Sequence, residues 1–251
     1  MHSQGPNYRA IVSSDWNECL APTGPFDVIM FHHPELASDL MRIFQAYTGN
    51  RISLGKAVAQ LRKLLPGLVS RQEMDQYLEA SFKTYRGVTD LIRWCRENEV
   101  LFMINTTAFQ GFCERAMAKG LIPEVPVVSA HPLIRYGERG EGRTRWMDLW
   151  ETSDKALNTE LVMKDVGLGP EKVLIMGDSG GDGPHFQWGA SVGARLVGSM
   201  TKASLAGFCA ERGVKIHTFF GPVYKEGEAR DFDREMAVDF MDLVPVIEEI
   251  L

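Results

Sequence analysis

Residues 172–178 read KVLIMGD, an unbroken apolar run that stops on a glycine and a carboxylate. A short run whose apolarity does not alternate predicts a strand covered on both faces, and such strands belong to parallel sheets. The chain repeats the device in RAIVSS (9–14), VLFMINT (100–106), VPVVSA (125–130) and, in a weaker form, ARLVGS (194–199). Helical patterns lie between them: TDLIRWCREN (89–98), GFCERAMAKG (111–120) and KALNTELVMKDVGL (155–168). Strand alternating with helix predicts an α/β fold with a Rossmann-like parallel-sheet core.

One interval breaks the rhythm. From about residue 26 to 86 there is no strand signal, only helical pieces such as PELASDLMRIFQAYTG, SLGKAVAQLRKLL and SRQEMDQYLEASFKTY. Ser53 and Ser70 stand where N-caps are expected, and Pro34 suits an early helix position. The expected organisation is a core of residues 1–22 and 87–251 with a helical cap, 23–86, inserted after the first strand. A second insertion follows VPVVSA, where PLIRYGERGEGRTRWMDLW reads as two strands about the turn Gly137–Gly142, a β-hairpin. Near the C-terminus, EMAVDFMDLVPVIEEIL reads as an amphipathic helix able to pack on the core or to mediate association.

Charge narrows the partners. A net charge of −6 gives no general attraction to nucleic acid or to an anionic membrane. A small anionic substrate would therefore need a local positive site or a bound metal. No run of 18 apolar residues occurs, and MHSQGPNYRA has no apolar signal-peptide core. Cys19, Cys95, Cys113 and Cys209 are widely spaced, form no CxxC pair and read as reduced thiols. The expectation is a cytoplasmic protein that binds neither nucleic acid nor membrane; its oligomeric state is left open.

In open parallel sheets, ligands bind at the carboxyl ends of the strands. The first strand delivers Asp15 and Asn17 there; the second delivers Asn105, Thr106 and Thr107. The fourth delivers Gly177 and Asp178, then Ser179, two glycines and Asp182, while Lys155 opens the helix leading into it. Two or three carboxylates in an open arrangement suit Mg²⁺, a hard cation that takes oxygen ligands. A carboxylate can also attack phosphorus, giving an aspartyl-phosphate that water hydrolyses. The charged phosphoryl oxygens then call for positive charge and donors, which Lys155, the Thr106 hydroxyl and backbone N–H groups can supply.

The motifs carry a resemblance. Asp15-Trp16-Asn17-Glu18-Cys19 after an apolar strand, LFMIN ending in Thr106, Lys155, and Gly177-Asp178-Ser-Gly-Gly-Asp182 occur in that order. In this the chain resembles the haloacid dehalogenase-like (HAD) hydrolase superfamily, and the insertion before Lys155 resembles its phosphoserine-phosphatase-like branch. The resemblance implies a Mg²⁺-dependent phosphatase acting on a small phosphorylated metabolite through an aspartyl-phosphate. It assigns Asp15 as nucleophile and metal ligand, the main-chain carbonyl of Asn17 and the Asp178 carboxylate as further ligands, and Asp182 as the residue completing the metal shell. Thr106, Thr107 and Lys155 would bind the phosphoryl group, Thr106 being preferred over Asn105 as the motif residue.

Position 17 departs from the pattern. The family's phosphatases carry Asp there as the general acid and base, and an amide cannot exchange protons in that way. Four readings follow: a substrate with a good leaving group; replacement of the acid by another residue, with Glu18 adjacent; the dehalogenase or phosphonate-hydrolase branches; or a catalytically impaired binder or regulator that holds a phosphorylated ligand without turnover. The phosphonate-hydrolase branch also needs a cap lysine, for which Lys56, Lys63 and Lys83 are candidates. Several other groups read as ordinary surface or loop: His32 and His33, the arginines Arg139, Arg143 and Arg145, and the loop Met200–Lys202.

Overall fold

The computed structural model describes residues 7–137 and 144–251. Every apolar run named above becomes a strand of one sheet. The strands are β1 (Ala10–Ser14), β2 (Val100–Phe109), β3 (Val127–His131), β4 (Arg145–Asp148), β5 (Val173–Gly177), β6 (Arg195–Thr201) and β7 (Thr218–Val223). They lie in the order β4-β3-β2-β1-β5-β6-β7, and all neighbours pair in parallel. β1, β2 and β5 are buried at every position, which accounts for their lack of alternation.

Helices cover both faces. After β1 come α1 (Asp27–His32), α2 (Ala37–Thr48), α3 (Leu54–Leu64) and α4 (Arg71–Ser81), with no strand among them. Then follow α5 (Val88–Glu97), α6 (Gln110–Ala118), α7 (Asp154–Val166), α8 (Gly183–Val192), α9 (Ala203–Glu211), α10 (Phe232–Met236) and α11 (Val244–Glu248). Alternate strand residues divide the core: Val12, Phe102 and Leu174 pack towards α5, α6 and the inserted helices. Ile11, Met103 and Ile175 pack against Val162, Phe186 and Leu205 from α7, α8 and α9. The expected caps are present, since Ser53 accepts from the Lys56 N–H at 3.3 Å and Ser70 forms a capping box with Glu73. Pro34 opens a single 3₁₀ turn.

Register is what builds a site. Ser14 lies opposite Ile104 on one side and Met176 on the other. The residues just beyond, Asp15, Asn105–Thr106 and Gly177–Asp178, therefore reach the same edge of the sheet.

Three expectations change. The β-hairpin is corrected: residues 132–137 form no strand, and β4 pairs in parallel with β3, Val127 lying opposite Arg145. Two strands joined by a tight turn must run antiparallel, so β4 is an edge strand of the main sheet. The remainder of the expected turn lies outside the described residues. β7 was not anticipated because only its alternate residues are covered and it carries Gly221 and Pro222, which an edge strand tolerates. The C-terminal helix is divided between α10 and α11 by a 3₁₀ turn at Phe240–Leu243, and it packs on the core through Phe240, Leu243, Ile247 and Ile250. All four cysteines are buried free thiols. Among the described residues no helix is long and apolar enough to cross a membrane.

Phe240 is fully buried, stacked on Tyr85 at 5.8 Å and edge-on to Phe220 at 5.0 Å. Phe240→Ala is expected to lower unfolding free energy by about 3–5 kcal/mol in urea titration. A loss below about 1 kcal/mol would mean that the C-terminal segment does not dock on the core as described.

Candidate active site

Asp15 is the first residue past β1 and prolongs it, its N–H donating to the Met176 carbonyl at 3.0 Å. Its Oδ1 accepts from the Trp16 N–H at 2.7 Å, and the fully buried Trp16 ring anchors the turn. Asp178 follows β5 in the same way. Asp182 closes the loop between them and α8, its Oδ2 accepting from the N–H groups of Asp178 at 3.0 Å and Ser179 at 3.2 Å. A side chain at Gly177 would strike Asp182, so a glycine is required there.

Lys155, in the first turn of α7, is only 1% exposed. Its Nζ lies 2.6 Å from Asp182 Oδ1 and 3.1 Å from Asp15 Oδ2. Burial works against the ammonium, but the charges of Asp15 and Asp182 outweigh it and raise the Lys155 pKa. Burial raises the Asp15 pKa more than Lys155 lowers it. Asp178 is pushed well up, by burial first and by Asp182, Asp15 and Glu18, against the pull of Lys202.

One oxygen from each of Asp15, Asp178 and Asp182 lies within 4.8 Å of the other two, and Asp178 Oδ1 is buried with no hydrogen-bond partner among the described residues. Three buried carboxylates with an oxygen left unsatisfied fit a hard divalent cation. The Thr106 hydroxyl bonds to Asp15 and accepts from the Ala108 N–H at 3.2 Å. Asn105 turns the other way, its amide donating to Ser13, the Lys155 carbonyl and Thr159 at 2.9–3.1 Å. It supports the helix that carries Lys155. Thr107 Oγ1 meets the Tyr47 hydroxyl of α2 at 2.5 Å.

Position 17 is held differently. The Asn17 amide donates to the Thr23 carbonyl at 3.0 Å, and its Oδ1 is buried without a partner. Glu18, with a left-handed φ of 57°, presents one oxygen to Lys202 and the other to Arg230 Nη1, the latter at 2.5 Å. A carboxylate gripped by two cations acts as an acceptor, the opposite of a proton donor. Lys202 Nζ also sits 2.8 Å from Asp178 Oδ2. Arg230 is braced by Glu235, fully buried, through bonds of 2.6 and 3.0 Å, and Glu235 accepts from Tyr85 at 2.6 Å and Tyr224 at 2.8 Å.

Arg230 and Tyr47 are thus neighbours of the site that sequence reasoning left out, and Lys202, read above as part of an ordinary loop, is a third neighbour. Lys202 stands just past β6, where the same strand-end argument finds it. Arg230 carries no local signal, and Tyr47 reads as one more apolar position on a helix. The other singled-out groups lie elsewhere. His32 bonds to the Glu73 carbonyl at 2.8 Å, His33 pairs with Glu35 at 3.3 Å, and Arg145 pairs with Asp165. Lys56, Lys63 and Lys83 are exposed. Arg139 and Arg143 lie outside the described residues.

No family model matches the chain, and no curated protein sequence matches it. Solved structures do. A phospho-aspartyl intermediate analogue of phosphoserine phosphatase superposes with a TM-score of 0.65 at 11% identity, covering 95% of this chain and 99% of that one. Phosphoserine phosphatase in apo form gives 0.60 at 13%, covering 94% and 98%. A HAD-family hydrolase from Salmonella enterica serovar Typhi gives 0.67 at 11%, covering 97% and 72%. The chain thus shares its fold with these phosphatases and this hydrolase.

Lys155→Met would leave Asp15 and Asp182 buried without their shared cation. The expected loss of stability at pH 7 is about 3–5 kcal/mol. A carboxyl whose folded pKa lies above its unfolded one costs stability once pH rises past the unfolded value. The deficit, followed by denaturant titration across pH, should therefore shrink on acidification. A deficit that grows towards low pH would contradict this account of the pair.

Proposed function

We propose that the chain is a Mg²⁺-dependent phosphatase that acts on a small phosphorylated metabolite through an aspartyl-phosphate at Asp15. The observation that carries this reading is the meeting of Asp15, Asp178 and Asp182 within 4.8 Å, with Lys155 bonded to two of them. Residues 23–86 serve as a cap over the core formed by 1–22 and 87–251. The Asp15, Asp178 and Asp182 carboxylates and the main-chain carbonyl of Asn17 hold Mg²⁺, which supplies electrostatic stabilisation of the phosphoryl oxygens.

Asp15 acts as nucleophile: a carboxylate oxygen bonds to phosphorus, and the bond to the leaving oxygen breaks with its electron pair going to that oxygen. Water then attacks the acyl phosphate, which frees phosphate and restores Asp15. Lys155, held protonated, offsets the repulsion between the nucleophile and the dianion, and Thr106 and Thr107 bind phosphoryl oxygens. The buried free thiols accord with a reducing compartment, and we place the enzyme in the cytoplasm.

A second reading has its own observation. Asn17 cannot exchange protons, and both oxygens of Glu18 are taken by Lys202 and Arg230. Without an acid, an alkoxide leaves slowly, so the chain either hydrolyses substrates with good leaving groups or binds a phosphorylated ligand without turnover. The exposed positions of Lys56, Lys63 and Lys83 give the phosphonate-hydrolase alternative little support.

Hydrolysis of an activated aryl phosphate separates these cases, because its leaving group needs little protonation. Turnover that requires Mg²⁺ and disappears in Asp15→Ala is the expected result. Asn17→Asp should raise the rate on an alkyl phosphate by about 10²–10⁴. Turnover in Asn17→Asp alone would instead favour the binder, and silence in both would remove the phosphatase reading.

A further inference from the structure

Tyr47 belongs to the inserted helices, yet its hydroxyl ends among the groups at the sheet edge. It sits in the last turn of α2, 5% exposed, with Thr107 Oγ1 at 2.5 Å. On its other side, a Cβ built on Gly181 would come 3.3 Å from the Tyr47 oxygen. The hydroxyl thus occupies space over the Asp178–Asp182 loop into which a side chain at 181 would project. Burial raises the phenol pKa, with Lys155, Asp15 and Asp182 all near enough to act on it, so the group keeps its proton.

The two hydroxyls carry two protons between them. One lies in the bond that joins them; the other has no protein acceptor among the described residues. A buried donor without an acceptor, near enough to Lys155 to feel its charge, is placed to serve an anion. We propose that Tyr47 is a phosphate-binding residue through which the Thr107 side chain serves the phosphate: Thr107 donates to the Tyr47 oxygen, and the Tyr47 O–H, in place of the Thr107 O–H, donates to the phosphoryl group of the substrate. This rests on the phosphatase reading above and adds to it a ligand contact delivered by the inserted segment. Phosphate affinity is then tied to the docking of α2, because the donor arrives with the helix.

The test is titration calorimetry of inorganic phosphate into the full chain with Mg²⁺, comparing wild type, Tyr47→Phe and Asn50→Ala. Asn50 donates to the Gly180 carbonyl at 3.1 Å and so cuts a different contact of the same segment. A bond to a charged acceptor predicts that Tyr47→Phe weakens phosphate on the order of tenfold or more, with Asn50→Ala staying within about twofold. The Tyr47→Phe melting temperature without phosphate should remain close to that of wild type, whereas a purely structural tyrosine would lower it and leave phosphate affinity alone. Equal affinity in wild type and Tyr47→Phe overturns the role of Tyr47 and leaves the phosphatase reading intact. An equal loss in Asn50→Ala also overturns it, by assigning the effect to helix docking. No phosphate binding by wild type removes both.

Discussion

Too much negative charge meets at one point of the sheet edge, and much of the structure answers it. Asp15, Asp178, Asp182, Glu18 and Glu235 are all buried, while the cations threaded among them are Lys155, Lys202 and Arg230. Five acids against three cations leave an excess of two negative charges. Burying unpaired charge is costly, and protein groups respond by shifting their protonation. Without another cation, the upward shifts of Asp15 and Asp178 describe that response. A divalent ion would cancel the same excess without protons, so that a metal and protons would compete for these oxygens.

The inserted helices meet the core along two seams of different character. At the outer seam, α4 faces α6 through ion pairs: Arg115 to Asp75 at 2.7 Å and Lys119 to Glu79 at 2.7 Å. At the inner seam, beside the Tyr47–Thr107 bond, the bonds run from side chains to main chain. Glu151 receives the N–H groups of Leu54 at 2.9 Å and Gly55 at 3.0 Å, at the first turn of α3, where a carboxylate is favoured by the exposed N–H groups. Asn50 bonds to the Gly180 carbonyl on the same side. Beneath these seams, Asp178, Asp182 and Lys155 are at most 1% exposed.

How much of this was legible follows from burial. Strands covered on both faces announce themselves through unbroken apolarity, so β1, β2, β3, β5 and β6 could be read directly. β7 could not, because an edge strand needs apolar residues on one face only. β4 was misassigned because a Gly-rich connection suits either a hairpin or a long return to a parallel partner. At the sheet edge, Asp15 and Asp178 were legible because each directly follows a strand, Asp182 because it closes the loop after one, and Thr106 because the apolar run stops there, although β2 itself continues to Phe109. Lys155 required the family spacing, since a lysine at a helix start is ordinarily solvated. Arg230 was invisible: what makes it matter is a contact across 212 positions, and nothing in its own neighbourhood records that.

The clasp of Arg230 on Glu18 also bears on the order in which a growing chain can become complete. Asp15 and Glu18 precede all of their counterions in the chain: their charge is balanced by Lys155, then Lys202, then Arg230, and Arg230 is itself braced by Glu235. A nascent chain that has not reached Arg230 carries Asp15 and Glu18 without their full set of counterions. Its sheet can begin to form as soon as β2 and β5 join β1, yet the mouth of that sheet stays electrostatically unfinished until the last of these partners emerges. Synthesis thus separates the appearance of the fold from the appearance of a settled site.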